Sequence, residues 1–86
     1  MAIKMVLKFH KVDFEYFLKD NIRILLTDDI AYVDGELTFD TDNNILIISV
    51  PTLDYIHFTF YDDSVYITFG HEEWAFAVEH FEINYK

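Results

Sequence analysis

Cysteine is absent from the chain, so disulfide staples, thiolate nucleophiles and cysteine-bearing zinc sites are excluded together. Glycine occurs only at Gly35 and Gly70, and proline only at Pro51. Two isolated glycines cannot build a phosphate-cradling loop, which needs several at fixed spacing. No apolar run approaches the length of a membrane span, and residues 1–10 lack the continuous apolar stretch of a secretory signal. The expectation is a cytoplasmic, soluble protein with no membrane contact.

The largest absence is of one charge sign. Between Ile24 and Tyr85 there is no Lys or Arg in 62 residues, where ordinary composition supplies roughly seven. The same segment carries thirteen carboxylates, and Lys4, Lys8, Lys11, Lys19 and Arg23 all precede it, with Lys86 after it. Residues 1–23 balance at +5 and −3, residues 24–85 contribute −13 and Lys86 adds +1, giving the net charge of −10. A folded surface of this kind projects a negative field that favours encounter with cationic partners and disfavours direct binding of nucleic acid.

What is present is apolar and aromatic. Hydrophobic residues make up 52% of the chain and aromatics 19%, with nine Phe, six Tyr and Trp74. Acidic disordered tails have far less apolar content, so this is an acidic folded domain. Its 86 residues fit one compact domain.

Ile3, Met5, Leu7 and Phe9 alternate with Lys4, Val6, Lys8 and His10, which predicts an N-terminal strand. Asp13 is then placed to cap one helix over about 13–26, whose stripe is Phe14, Phe17, Leu18, Ile22 and Leu25. Glu15, Lys19 and Arg23 form its solvated row, with a helical ion pair contributing about 0.2–0.5 kcal/mol. From Asp28 onward the period becomes two. Residues 30–33, Asp34-Gly35 and residues 36–40 read as a hairpin, because Asp-Gly tolerates the positive φ of a primed turn. Residues 41–44 make a further turn, and residues 45–50, apolar on both faces, predict a central strand ended by Pro51. Residues 55–61 and 64–69 read as strands joined through Asp62-Asp63. Trp74, Phe76 and Val78 alternate, as do Phe81, Ile83 and Tyr85 in shifted phase, which predicts strands with a bulge or turn near Glu79-His80. A helical stripe through Trp74, Val78, Phe81 and Tyr85 is the competing pattern. The expected architecture is α+β, one N-terminal strand and one helix packed on an antiparallel meander of five to six strands.

If the apolar alternates face the helix, the other face shows Glu36, Thr38, Asp40, Tyr55, His57, Thr59, Tyr61, Tyr66, Thr68, Glu73, Ala75, Ala77 and Glu79. Tyrosines among carboxylates suit a basic groove, since rings add contact area and carboxylates pair with Arg and Lys. Each of these residues also has an ordinary use: Tyr and Thr favour strands, Asp favours turns and an acidic surface keeps a small protein in solution.

The catalytic and metal motifs fail on spacing. Asp40, Asp42 and Asn44 begin like a calcium loop, but Ile45 stands at the glycine position and Pro51 at the closing glutamate. The four histidines lack ligand spacing, leaving only a site assembled in space from His71, His80 and Glu72 or Glu73. Ser49 and Ser64 sit in no nucleophile elbow.

The chain thus reads as a non-catalytic binding protein without metal or cofactor. The expected function is stoichiometric inhibition by DNA mimicry, in the manner of phage anti-restriction or anti-CRISPR proteins, at the cationic site of a nuclease or other nucleic-acid-binding protein. The expected contacts are Asp28, Asp29, Glu36, Asp40, Asp62, Asp63, Glu72, Glu73 and Glu79, with Tyr55, Tyr61 and Tyr66 as anchors. Two alternatives stand beside it: an immunity protein for a toxic nuclease, and an assembly domain that forms a homodimer through Tyr55, Tyr66, Ala75 and Ala77.

Overall fold

Alternating apolar residues drive the first strand, β1 (Ile3–Lys8), in which Ile3, Met5 and Leu7 are buried. In the computed structural model, which describes residues 2–85, two helices and six more strands follow. They are α1 (Lys11–Lys19), α2 (Asn21–Tyr32), β2 (Glu36–Asp40), β3 (Ile45–Val50), β4 (Ile56–Phe60), β5 (Ser64–Phe69), β6 (Glu72–Ala77) and β7 (His80–Tyr85). The class is α+β with antiparallel pairing throughout, as the periodicity predicts. Lys86 lies outside the described residues.

The strands divide into two sheets. One is ordered β2-β3-β1-β7, and the other is the meander β4-β5-β6. β1 is therefore interior, pairing Met5 with Ile48 of β3 on one side and with Ile83 of β7 on the other. β3 is central, as its two-sided apolar sequence predicts. The chain crosses between sheets at residues 78–79, where the Val78 N–H donates to the Asp63 carbonyl at 3.0 Å and the Glu79 N–H to the Lys8 carbonyl at 2.6 Å. This crossing is the phase shift expected near Glu79-His80, and it rules out the helical pattern for this segment.

The single helix over about 13–26 is two helices. Asp20 leaves helical geometry at ψ 151°, and its carboxylate accepts from the Ile22 N–H at 2.9 Å, capping α2. Beyond this break the buried positions are Leu26 and Ile30, whereas Leu25, placed on the expected stripe, is 48% exposed. The Glu15–Lys19–Arg23 row is interrupted for the same reason, and no Glu15–Lys19 ion pair forms.

The expected hairpin about Asp34-Gly35 is likewise replaced, because residues 30–32 close α2. The Gly35 N–H donates to the Ile30 carbonyl at 2.8 Å and the Asp34 N–H to the Ala31 carbonyl at 3.0 Å, with Asp34 at φ 61°. That pair of bonds is a helix-terminating Schellman motif. The positive φ anticipated for this dipeptide is present, used to leave a helix instead of reversing a strand. Gly35 is required by close approach, since a Cβ there would stand 2.7 Å from both Ile30 Cγ2 and the Ser49 carbonyl.

The core is one continuous cluster between the sheets and helices, with no buried polar or charged residue among the described positions. Phe17 of α1 reaches Phe39 on the four-stranded sheet and Phe76 on the meander, at centroid distances of 6.2 and 5.2 Å. Phe60 and Phe81 stack at 4.3 Å across the other side, joining β4 to β7. Aromatic contacts thus tie the two sheets together at both margins.

Candidate functional site

Alternation along each strand fixes which side chains face outward. On the meander the outward rows are His57–Thr68–Glu73, Thr59–Tyr66–Ala75 and Ser64–Ala77. Tyr61, 55% exposed, meets Tyr66 edge-to-face at 5.2 Å. No Lys or Arg stands on this face. Asp62 and Asp63 form the turn at one end, and the Val78–Asp63 hydrogen bond brings Glu79 to the same end. Asp54, Tyr55 and Glu72 lie at the opposite end, roughly 17 Å away by the rise of β5.

The four-stranded sheet differs. Its outward rows are Glu36–Ser49–Lys4–Asn84, Thr38–Ile47–Val6–Glu82 and Asp40–Ile45–Lys8–His80. Glu36 and Asp40, expected on the same face as Tyr55 and Tyr66, are on this second sheet because the strands do not form a single meander. Asp40 is also committed locally: its carboxylate accepts from the Asp42 and Asn43 N–H groups and from Asn43 Nδ2 at 2.9 Å. These bonds make the 40–44 segment an Asx-type turn, with Asn44 at φ 59°.

Of the twelve expected contact residues, the structure gathers Tyr61, Asp62, Asp63, Tyr66 and Glu79 at one end of the meander. Tyr55, Glu72 and Glu73 fall toward the other end, together with Asp29 of α2, while Asp28 is exposed on that helix. Asp29 and Glu72 stand against each other. A hydrogen bond to Asp29, followed by desolvation and by the Asp29 charge, raises the Glu72 carboxyl above its ordinary range. Asp29 Oδ2 is shielded from solvent without a donor.

Among the described residues the single ion-pair contact is His80–Glu82 at 3.4 Å, so no Lys or Arg neutralises an acid directly. His71 and His80 are kept apart by the length of β6, which removes the spatial site considered for them, and no group of three His, Asp or Glu among the described residues is arranged to hold a metal. No helix among them is long and apolar enough to cross a membrane.

One feature went unseen in the sequence. A groove of about 700 Å³ opens where the α2 C-terminus, the β3–β4 loop and the β5–β6 turn meet, lined by Tyr32, Asp34, Asp54, Tyr55, His57 and Phe69 among others. Tyr32 meets Phe69 edge-to-face at 6.2 Å. Assigning residues 30–33 to a strand hides Tyr32 and Asp34, and the usable signal was the positive-φ dipeptide, which serves helix ends as readily as hairpins. No protein-family model, curated protein or solved structure matches the chain.

Proposed function

We propose that this protein is a non-catalytic binder whose acidic, tyrosine-bearing meander occupies the cationic site of a nucleic-acid-binding protein. The observation that supports this is the outward face of β4, β5 and β6, free of Lys and Arg and flanked at both ends by carboxylates that form no ion pair with Lys or Arg among the described residues. Unpaired carboxylates keep their full attraction for a partner's Arg and Lys, because no existing pair must be broken. Two acidic ends separated by an uncharged tyrosine platform offer spaced negative charge, which is what a phosphate-gripping site selects. Glu36 and Asp40 drop out of this surface, and Asp62, Asp63, Glu73 and Glu79 become its principal charges. An inhibitor of a restriction or CRISPR nuclease, or an immunity protein for a toxic nuclease acting in the cytoplasm, would need such a surface.

The test is affinity capture on the immobilised protein, with duplex DNA as eluent in one arm and a salt gradient in the other. Nucleic-acid-binding proteins are expected to elute in both arms and to be lost from an Asp62→Asn, Asp63→Asn, Glu73→Gln variant. Retention that survives about 1 M salt and ignores DNA would overturn the reading.

A further inference from the structure

The groove beside α2 has a chemistry distinct from that of the sheet face. Its lining is rich in aromatics: Tyr32 is 81% exposed and Tyr55 66%, and Phe69 meets Tyr32 edge-to-face. Asp34 and Asp54 supply carboxylates, and among the described residues the lining contains no Lys or Arg. It also receives the C-terminus of α2, the negative end of a helix dipole, and that helix has no basic residue in its last turn to offset it. A volume of about 700 Å³ lies within the range that accepts a small ligand or a short stretch of peptide.

Rings, carboxylates and a negative helix end together select a cation with a flat apolar face. We infer that the groove receives an arginine side chain of a basic protein partner, stacked on Tyr32 or Tyr55 and paired with Asp34 or Asp54. Guanidinium is planar, stacks on aromatic faces and bonds a carboxylate in bidentate fashion, whereas an ammonium is a strongly hydrated point charge that does neither as well. The surroundings are already anionic: Asp29, one turn before Tyr32, raises the carboxyl of Glu72, two residues past Gly70, above its ordinary range. This inference rests on the proposed function for the identity of the partner, a cationic protein, and names the contact that anchors it.

The test is titration of the full chain with hexa-arginine and hexa-lysine peptides at about pH 7.5 and about 0.15 M salt. Calorimetry gives affinity and amide NMR shifts give location. The arginine peptide is expected to bind about tenfold more tightly than the lysine peptide, with shifts centred on Tyr32, Asp34, Tyr55 and Phe69. Asp34→Asn with Asp54→Asn is expected to cost about tenfold. Asparagine tolerates the positive φ at position 34, so this change tests charge and not folding. Asp62→Asn with Asp63→Asn, equal in charge but distant, is expected to cost about twofold. Tyr32→Ala at an exposed position should remove the preference for arginine. Shifts confined to Tyr61, Asp62, Asp63 and Tyr66 would overturn the groove while leaving the acidic binder intact. No binding of either peptide would overturn both.

Discussion

The outward faces of the two sheets are made from similar strand residues and differ in charge. On the four-stranded sheet, Lys4 and Lys8 stand among Glu36, Asp40 and Glu82, around a half-buried centre of Val6, Ile45 and Ile47. The meander shows tyrosine, threonine and alanine with Glu73 and no cation. Topology causes the difference. Because β1 inserts between β3 and β7, two of the chain's few lysines stand within one sheet, and the carboxylates of residues 54–79 form no ion pair with Lys or Arg among the described residues. Net charge alone conceals this, since −10 spread evenly would give no face a preference.

The strongest way to break the comparison is through the core that the sheets share. Ile48 of β3 and Ile67 of β5 are both fully buried at the centres of their sheets. Either Ile→Ala substitution is expected to cost about 2–5 kcal/mol, from lost apolar burial plus a cavity. Urea unfolding followed by Trp74 fluorescence, on the meander, and by far-UV circular dichroism should give one coincident transition in each variant. Separate transitions in Ile67→Ala would mean that the meander unfolds by itself, and the two faces would then belong to two units instead of one.

Much of this fold was legible from residue patterns, because period-two alternation at 3–8, 45–50, 56–60, 64–69 and 72–85 directly reports burial on one or two faces. The pairing partners were not legible. Nothing local in Ile3–Lys8 states that it lies between β3 and β7, since that depends on a chain reversal some seventy residues later. Two local signals were also ambiguous in physical terms. Asp20 within an apolar stripe could be a solvated helix residue or a cap, and only the α1–α2 packing decides. Asp34-Gly35 could turn a strand or end a helix, and the six-residue Schellman bond to Ile30 decided it. The candidate surface inherited both difficulties: Glu73 lies on the outward face of the meander, Glu36 and Asp40 lie on the other sheet, and the groove depended on the helix end that the pattern missed.

Exchanging charge between the faces sharpens the comparison at a smaller energy. Glu73→Lys adds a cation to the acidic face, and Lys8→Glu removes one from the mixed face, shifting net charge by two in opposite directions. The first is expected to raise stability and the second to lower it, each by about 0.5 kcal/mol or less, with both differences fading near 1 M salt. Thermal melts at low and high ionic strength check this. Capture of a nucleic-acid-binding partner should fall for Glu73→Lys and persist for Lys8→Glu. Equal losses would assign binding to overall charge and abolish the distinction between the faces.

The smallest effect concerns the acidic end of the meander beside α2. Glu72 has a raised pKa in the fold, chiefly through its hydrogen bond to Asp29, so the folded state holds this proton more tightly than the unfolded chain does. Protonation therefore favours folding. The contribution is fully present below the ordinary glutamate range and is lost as pH rises through the folded pKa, the reverse of the usual salt-bridged carboxylate. Glu72→Gln keeps a donor for Asp29 at every pH and has no charge to repel it. Stability curves of the two proteins should run together at the acid side and separate across that window, with the variant the more stable above it. Asp29→Asn removes the leading cause from the other partner and should also flatten the step. Parallel curves for all three proteins would mean that the two carboxyls are independent in solution, and that the crowding of negative charge at this end of the sheet is too weak to hold a proton, let alone to select a cation.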